Sequence, residues 1–324
     1  MNLRRSHTCL ALLLLLAASL PCRADILLVN ADGSGQYPTI QAAVDAAVDG
    51  DEVHLANGTY AGDGNREIRY HGKAIVVRSE SGNAADVTIA PYELKFRPRA
   101  FIFDGGEGPD SILLGISTAS EELMPPGAIF CDGSSPTISG CRFSSGFGTA
   151  VVSQGGEPTF EGCHFENNQS PKATTCIVAD AAVIRECEFI GNFSDGSTGA
   201  ASIWRASIFN CVFSGNSTEC CAGSLSVGPG SVIEDTTIYG WSQYGASAVS
   251  VGGPATFRRC TIAGSGGPAA MSVGGCVTLQ DCDVESISPP NACVRRIGSK
   301  VAPDALDPVS TDVTTWGQIK ASYR

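Results

Sequence analysis

The cysteines are the first residues in this 324-residue chain whose type and spacing could do chemistry. Cys141, Cys163, Cys187, Cys211, Cys260 and Cys282 recur, with Thr236 in the place of one of them, at steps of 22, 24, 24, 25, 24 and 22 residues. Such a series could ligate a metal or cycle through disulfides. Two features favour interior packing instead. No CxxC pair or nearby histidine completes a tetrahedral set, and Thr236 shows that the position accepts a small hydroxyl. In a chain that stacks repeat upon repeat these side chains would form an internal line. Stacked Cα separations also fall inside the disulfide range, so oxidation between neighbouring rungs stays open. Cys131, Cys176, Cys220, Cys221, Cys276 and Cys293 lie off the column and are the better disulfide candidates, with connectivity unassigned.

Other chemistry is sparse. His54, His71 and His164 are scattered over different repeats and are expected on strands or the surface, not in a triad or zinc site. Asp281, Asp283 and Glu285 alternate around Cys282. That spacing would set all three on one outward face, where Ca²⁺ or a glycosidic bond could be engaged, although a solvated acidic face is the plainer expectation. Asn168, Asn192 and Asn216 recur at steps of 24 in FENN, FIGN and FSGN. Stacked amides of this kind satisfy a corner backbone, with carbohydrate contact as the functional alternative. No P-loop, GxSxG or GxGxxG stands in a strand-to-helix setting. No residue is therefore assigned a catalytic, cofactor or metal role, and no cofactor is expected beyond that Ca²⁺ alternative.

The elements that must position these residues follow from the same period. PTISGCRF (136–143), PTFEGCHF (158–165), AVIRECEF (182–189), ASIFNCVF (206–213), SVIEDTTI (231–238), ATFRRCTI (255–262) and VTLQDCDV (277–284) share one pattern of alternating apolar positions. A second short strand precedes each, from AIFC (128–131) to AMSV (270–273), with turn formers between. Such a unit cannot bury its own apolar side, and stacking the coils at about 4.8 Å does so. The expected fold is all-β: a right-handed parallel β-helix of about ten coils over residues 25–300, roughly 45–50 Å long. Thr39 to Val48 reads as a helix capping the N-terminal end, with Ile40, Ala43, Val44, Ala47 and Val48 on its inner stripe and Thr39 as N-cap. Residues 301–324, which include Trp316, Ile319 and Tyr323, read as a C-terminal cap or docking tail with a short helix.

Composition narrows the function. With 43% hydrophobic residues the chain fills a core, and its 38 glycines point to many tight turns. A formal charge of −12 excludes charge-driven binding to nucleic acid or anionic lipid. Residues 1–24 have the form of a secretory signal: Arg4 and Arg5, an apolar run from Cys9 to Leu20, then Pro21 and cleavage before Asp25. A secreted or otherwise extracytoplasmic protein is expected, with no membrane span after cleavage.

Residues 30–60, NADGSGQYPTIQAAVDAAVDGDEVHLANGTY, resemble the start of pectinesterases and the wider pectin-lyase-like group. GEGPDSILLGIS and AIFCDGSSPTISGCRFSSG are similar to right-handed β-helix repeat proteins exported by bacteria. FENN, FIGN and FSGN are similar to the FxxN repeats of bacterial outer-membrane adhesins. The resemblance covers roughly residues 30–290, and it implies the fold and a polysaccharide or cell-surface protein as partner. Catalytic motifs of the group do not follow. The pectinesterase QAVALR, DFIFG and GRPW strings are missing. Of the polygalacturonase set only RIG (296–298) comes near, and FRPRA (96–100) offers Arg97 and Arg99 without the acidic cage of a pectate lyase. The expected function is a non-catalytic solenoid binding glycans or a protein partner. The alternative is a polysaccharide lyase, hydrolase or esterase with an atypical site, centred on Arg97 or Asp281.

Overall fold

The computed structural model describes residues 24–90, 99–119, 128–267, 269–289 and 291–302. Residues 1–23 of the expected signal, Arg97, and residues 303–324 of the expected C-terminal tail lie outside the described residues. Every strand pairing is parallel, and each coil contributes one strand to each of three faces, forming a right-handed parallel β-helix. Ten complete coils run from Ile68–Arg69 to Lys300–Val301. The middle strand of the coil forms the longest ladder, twelve strands from Ile26–Val29 to Val294–Ile297. The earliest of these, Ile26–Val29, precedes the helix, so the strand at Glu52–Leu55 is the second and not the first.

In-register stacking places like on like. On the third face Phe143, Phe165, Phe189 and Phe213 pile up with ring centroids 4.7, 4.7 and 4.4 Å apart. Ile238, Ile262 and Val284 continue that column. Large apolar side chains thus fill the interior at crystal-like density, with dispersion contacts along the axis added to burial from water.

The helix Ile40–Ala46 caps the N-terminal end as expected: Thr39 accepts from the Ala42 N–H at 3.2 Å, and Ile40, Ala43 and Val44 are buried. It is shorter than the periodicity suggests. Ala47 turns to extended backbone, so Val48 swings out of the inner stripe and is 58% exposed.

The cysteine column is internal, and its members are free thiols. Each sits just after a corner that the chain turns with a left-handed residue: Gly140, Gly162, Glu186, Asn210, Asp235, Arg259 and Asp281, all at φ of 51–58°. The column side chain ties that corner. The Cys187 thiol donates to the Arg185 carbonyl at 3.2 Å and accepts from the Cys163 N–H of the preceding coil at 3.4 Å. Thr236 does the same with Glu234 (2.8 Å) and Cys211 (3.3 Å), and Ser299 with Ile297 (3.3 Å) and Cys282 (2.9 Å). Cysteine, threonine and serine interchange here because each is small and both donates and accepts.

Replacing Cys187 by Ser should therefore keep the corner, whereas Val leaves the Cys163 N–H without an acceptor and costs about 1–3 kcal/mol. Asp at this position places an unpaired charge in the core and prevents folding. Urea unfolding followed by circular dichroism checks the order Ser, Val, Asp; equal tolerance of all three would mean that the column faces solvent. At the corner itself, Glu186→Gly removes the left-handed strain of an exposed residue and should raise the urea-derived stability by about 0.5–1 kcal/mol.

Candidate functional site

The described residues contain no group of three or more His, Cys, Asp or Glu side chains arranged to hold a metal ion. Alternation would set Asp281, Asp283 and Glu285 on one face, but the corner intervenes. Asp281 occupies its left-handed position (φ 52°), and Asp283 already belongs to the third face. Glu285 accepts from the Gly264 N–H at 2.9 Å. The three carboxylates are not brought together as a cation site.

The asparagine row is buried: Asn168, Asn192 and Asn216 are each no more than 1% exposed. Asn168 Nδ2 donates to Asn192 Oδ1 (2.9 Å) and Asn192 Nδ2 to Asn216 Oδ1 (2.8 Å). The same amides donate to the Phe143, Phe165 and Phe189 carbonyls at 3.0, 2.9 and 2.8 Å. Their oxygens also take the N–H groups of Gly146, Asn168 and Asn192. The row closes a corner, and its burial puts the amides out of a carbohydrate's reach, correcting that alternative.

Of the six off-column cysteines, Cys220 pairs with Cys221 and Cys276 with Cys293. Cys131 and Cys176 are instead buried free thiols. Both point into the core. Cys131 stacks between Phe103 and Ser153, and Cys176 lies beside Ala200 in the next coil, so neither has a cysteine in register.

Several surface charges pair between coils. Arg142 pairs with Glu166, His164 with Glu188 at 3.1 Å, and Arg258 with Glu234 at 2.5 Å; Arg259 reaches Asp235 at 2.6 Å. His54 lies against Glu52 at 2.7 Å, and His71 is exposed, 3.5 Å from Asp45; the histidines stay apart as expected. Two buried acids, Asp51 and Glu107, escaped the sequence reading. Glu107, 2% exposed, accepts from the N–H groups of Gly72 (3.0 Å) and Gly105 (2.9 Å) and from Ser134 Oγ (2.8 Å). It staples three coils. Its only sequence signal is an acid among glycines, which any surface turn shares.

Two places remain where chemistry is uncommitted. Arg99 is half-buried with its guanidinium 4.1 Å over the Phe130 ring, and its Nη1 is the only buried side-chain nitrogen or oxygen without a hydrogen-bond partner among the described residues. Burial lowers its pKa, against the opposing pull of Cys131 and Glu67. Among the described residues Glu67 is the one carboxylate that acts on it.

The other is aromatic. Trp241, on the third face, is 38% exposed, and Tyr244, two residues past the end of the strand Thr237–Ser242, is 72% exposed. Gln243 Nε2 donates to the Tyr244 hydroxyl at 2.7 Å, and Tyr239 Oη lies 3.4 Å from Ser265 Oγ. Ser217 and Ser265 stand in register on either side of Trp241. Gly266 is needed beneath the indole, since a Cβ there would come within 2.3 Å of Trp241 Nε1. The aromatic patch was not singled out in the sequence because Trp241 and Tyr244 lie beyond the repeated pattern.

No family model matches the chain, and no curated protein matches it. Among solved structures, a PL6 family alginate lyase is similar over 84% of this chain at 13% identity (TM-score 0.47), and this chain spans 40% of that enzyme's length. A pectin methylesterase from carrot is similar over 86% of this chain and 88% of its own (13% identity, TM-score 0.43). A pectate lyase is similar over 90% and 84% (14% identity, TM-score 0.43). Likeness at this level concerns the β-helix alone and decides nothing about activity.

The buried thiols set an alkaline limit. Burial pushes the Cys131 thiol from its usual 9.0 up to about 12 and moves Cys163 and Cys176 in the same direction. Above pH 9.0 the unfolded chain ionises these thiols while the folded chain keeps them protonated, so unfolding gains. The urea midpoint should hold below pH 9.0 and fall progressively as pH rises toward 12.

Proposed function

We propose that this chain is an exported, non-catalytic β-helix that binds neutral glycans on its third face. The observation that carries the reading is the exposed Trp241 and Tyr244 pair amid outward hydroxyls. Indole and phenol faces stack on the C–H surface of a sugar ring, while Gln243, Ser217 and Ser265 supply hydrogen-bonding groups that set orientation. A neutral ligand is favoured because a chain of formal charge −12 repels a polyuronate. Export is supported by the form of residues 1–24 and by two disulfides, which suit an oxidising compartment.

A second reading, a polysaccharide lyase, hydrolase or esterase, has one specific observation in its favour: Arg99, whose Nη1 has no hydrogen-bond partner among the described residues and whose pKa is lowered by burial. The two readings separate in one experiment. Purified protein is screened against neutral and acidic polysaccharides for both binding and cleavage. Trp241→Ala and Tyr244→Ala should each weaken glycan binding by about tenfold, near 1.4 kcal/mol, without moving the thermal midpoint. Arg99→Ala should leave binding unchanged. New chain ends or released methanol that vanish in Arg99→Ala would establish the enzyme reading; binding indifferent to both aromatic substitutions would move the ligand off this face.

A further inference from the structure

The two ends of the solenoid are finished differently. At the N-terminal end the helix Ile40–Ala46 packs on Ile26–Val29, Glu52–Leu55 and Ile68–Arg69. At the other end Ile287–Ser288, Val294–Ile297 and Lys300–Val301 each pair on one side only among the described residues. Such an edge offers unpaired N–H and C=O groups to any passing strand, and native proteins cover or charge it.

Here the edge is charged in an unusual place. The inner column of the middle face runs Leu27, Val53, Val77, Leu113, Ile138, Phe160, Ile184, Ile208, Ile233, Phe257 and Leu279, all apolar. The next residue in register after Leu279 is Arg296, which is exposed. A cation thus occupies a core position at the end of the rod. Arg295 precedes it in the same strand and Lys300 stands on the third face of the same coil; both are exposed, and among the described residues none of the three forms an ion pair, although Lys300 stands in register with Asp283. Ala292, Val294 and Val301 complete an apolar floor that is only partly covered. In a chain of formal charge −12, three cations of the last coil, unpaired among the described residues, on an apolar end mark a surface that suits an acidic, amphipathic occupant.

The chain itself carries one. Ala302, whose N–H donates to the Val284 carbonyl at 3.0 Å, leaves the last coil at this end, and 22 residues follow it. The first ten, PDALDPVSTD, contain Asp304, Asp307 and Asp312 with Leu306 and Val309, and no base. Trp316 and Ile319 come after. We propose that residues 303–324 dock over the C-terminal end, setting carboxylates against Arg295, Arg296 and Lys300 and apolar side chains on the floor. This interaction is independent of the glycan-binding reading.

Hydrogen exchange of the full chain, read by mass spectrometry, tests it. Amides of 294–301 should exchange about tenfold faster in the variant Asp304→Lys, Asp307→Lys, Asp312→Lys than in the unaltered protein. Adding Arg295→Glu, Arg296→Glu and Lys300→Glu should restore slow exchange. Equal exchange in the unaltered and the triple-Lys proteins overturns the proposal. So does protection that depends on protein concentration and accompanies a doubled mass in light scattering, which would make the occupant a second copy. Should the central strands at 177–209 also exchange faster in the triple-Lys variant, the charge-swapped protein decides alone: recovery supports the docking, and its failure refutes it.

Discussion

Parallel pairing of each coil with its neighbours, in register and about 4.8 Å apart, is the constraint on which the rest of this molecule depends. It removes the freedom to mix side chains around a core. Whatever stands at one inward position meets its own counterpart above and below, so a residue type that stacks well is used repeatedly and one that stacks poorly is excluded. The phenylalanine pile of the third face and the asparagine row beside it are two answers to that condition, one through dispersion and one through hydrogen bonds.

Corners are harder to satisfy than faces. A polygonal coil must change direction while its backbone polar groups remain paired, and the left-handed residue that makes the bend leaves an N–H to be met from the next coil. The thiol and hydroxyl column meets it. This explains why reactive groups occur so regularly here without forming a reactive site. The same sulfurs that could suggest metal or redox chemistry are confined between a carbonyl two residues back and an amide one coil away. Regularity of spacing, in a solenoid, is a mark of structural employment.

Function then has to come from what interrupts the period. Charges that recur with it pair across coils, as Glu234 does with Arg258, and so hold the surface flat. Trp241, Tyr244, Arg99 and the cations of the last coil do not recur. Trp241, Tyr244 and the cations of the last coil stand where solvent or a ligand can reach them, and Arg99 keeps one buried nitrogen that the described coils do not satisfy.

The fold, the number of coils, the inward cysteine column and the capping helix were legible in the amino-acid order, because a stacked repeat writes its three-dimensional neighbours into the sequence at a fixed offset. Thr39 and the apolar stripe after it likewise announce a helix through purely local chemistry. Several matters were not legible. The grouping of Asp281 with Asp283 and Glu285 fails at a left-handed bend, which alternation alone does not reveal when the bending residue is not glycine. That Cys220 bonds its neighbour Cys221 and Cys276 bonds Cys293 on the next coil, while Cys131 and Cys176 stay free, depends on which thiols meet another cysteine once the coils stack. The place of Arg296 in the core column became visible only through register. Local propensity and period are properties of the chain, whereas the direction in which a side chain faces after a corner, and which neighbour it then meets, is set only when the coils close upon one another.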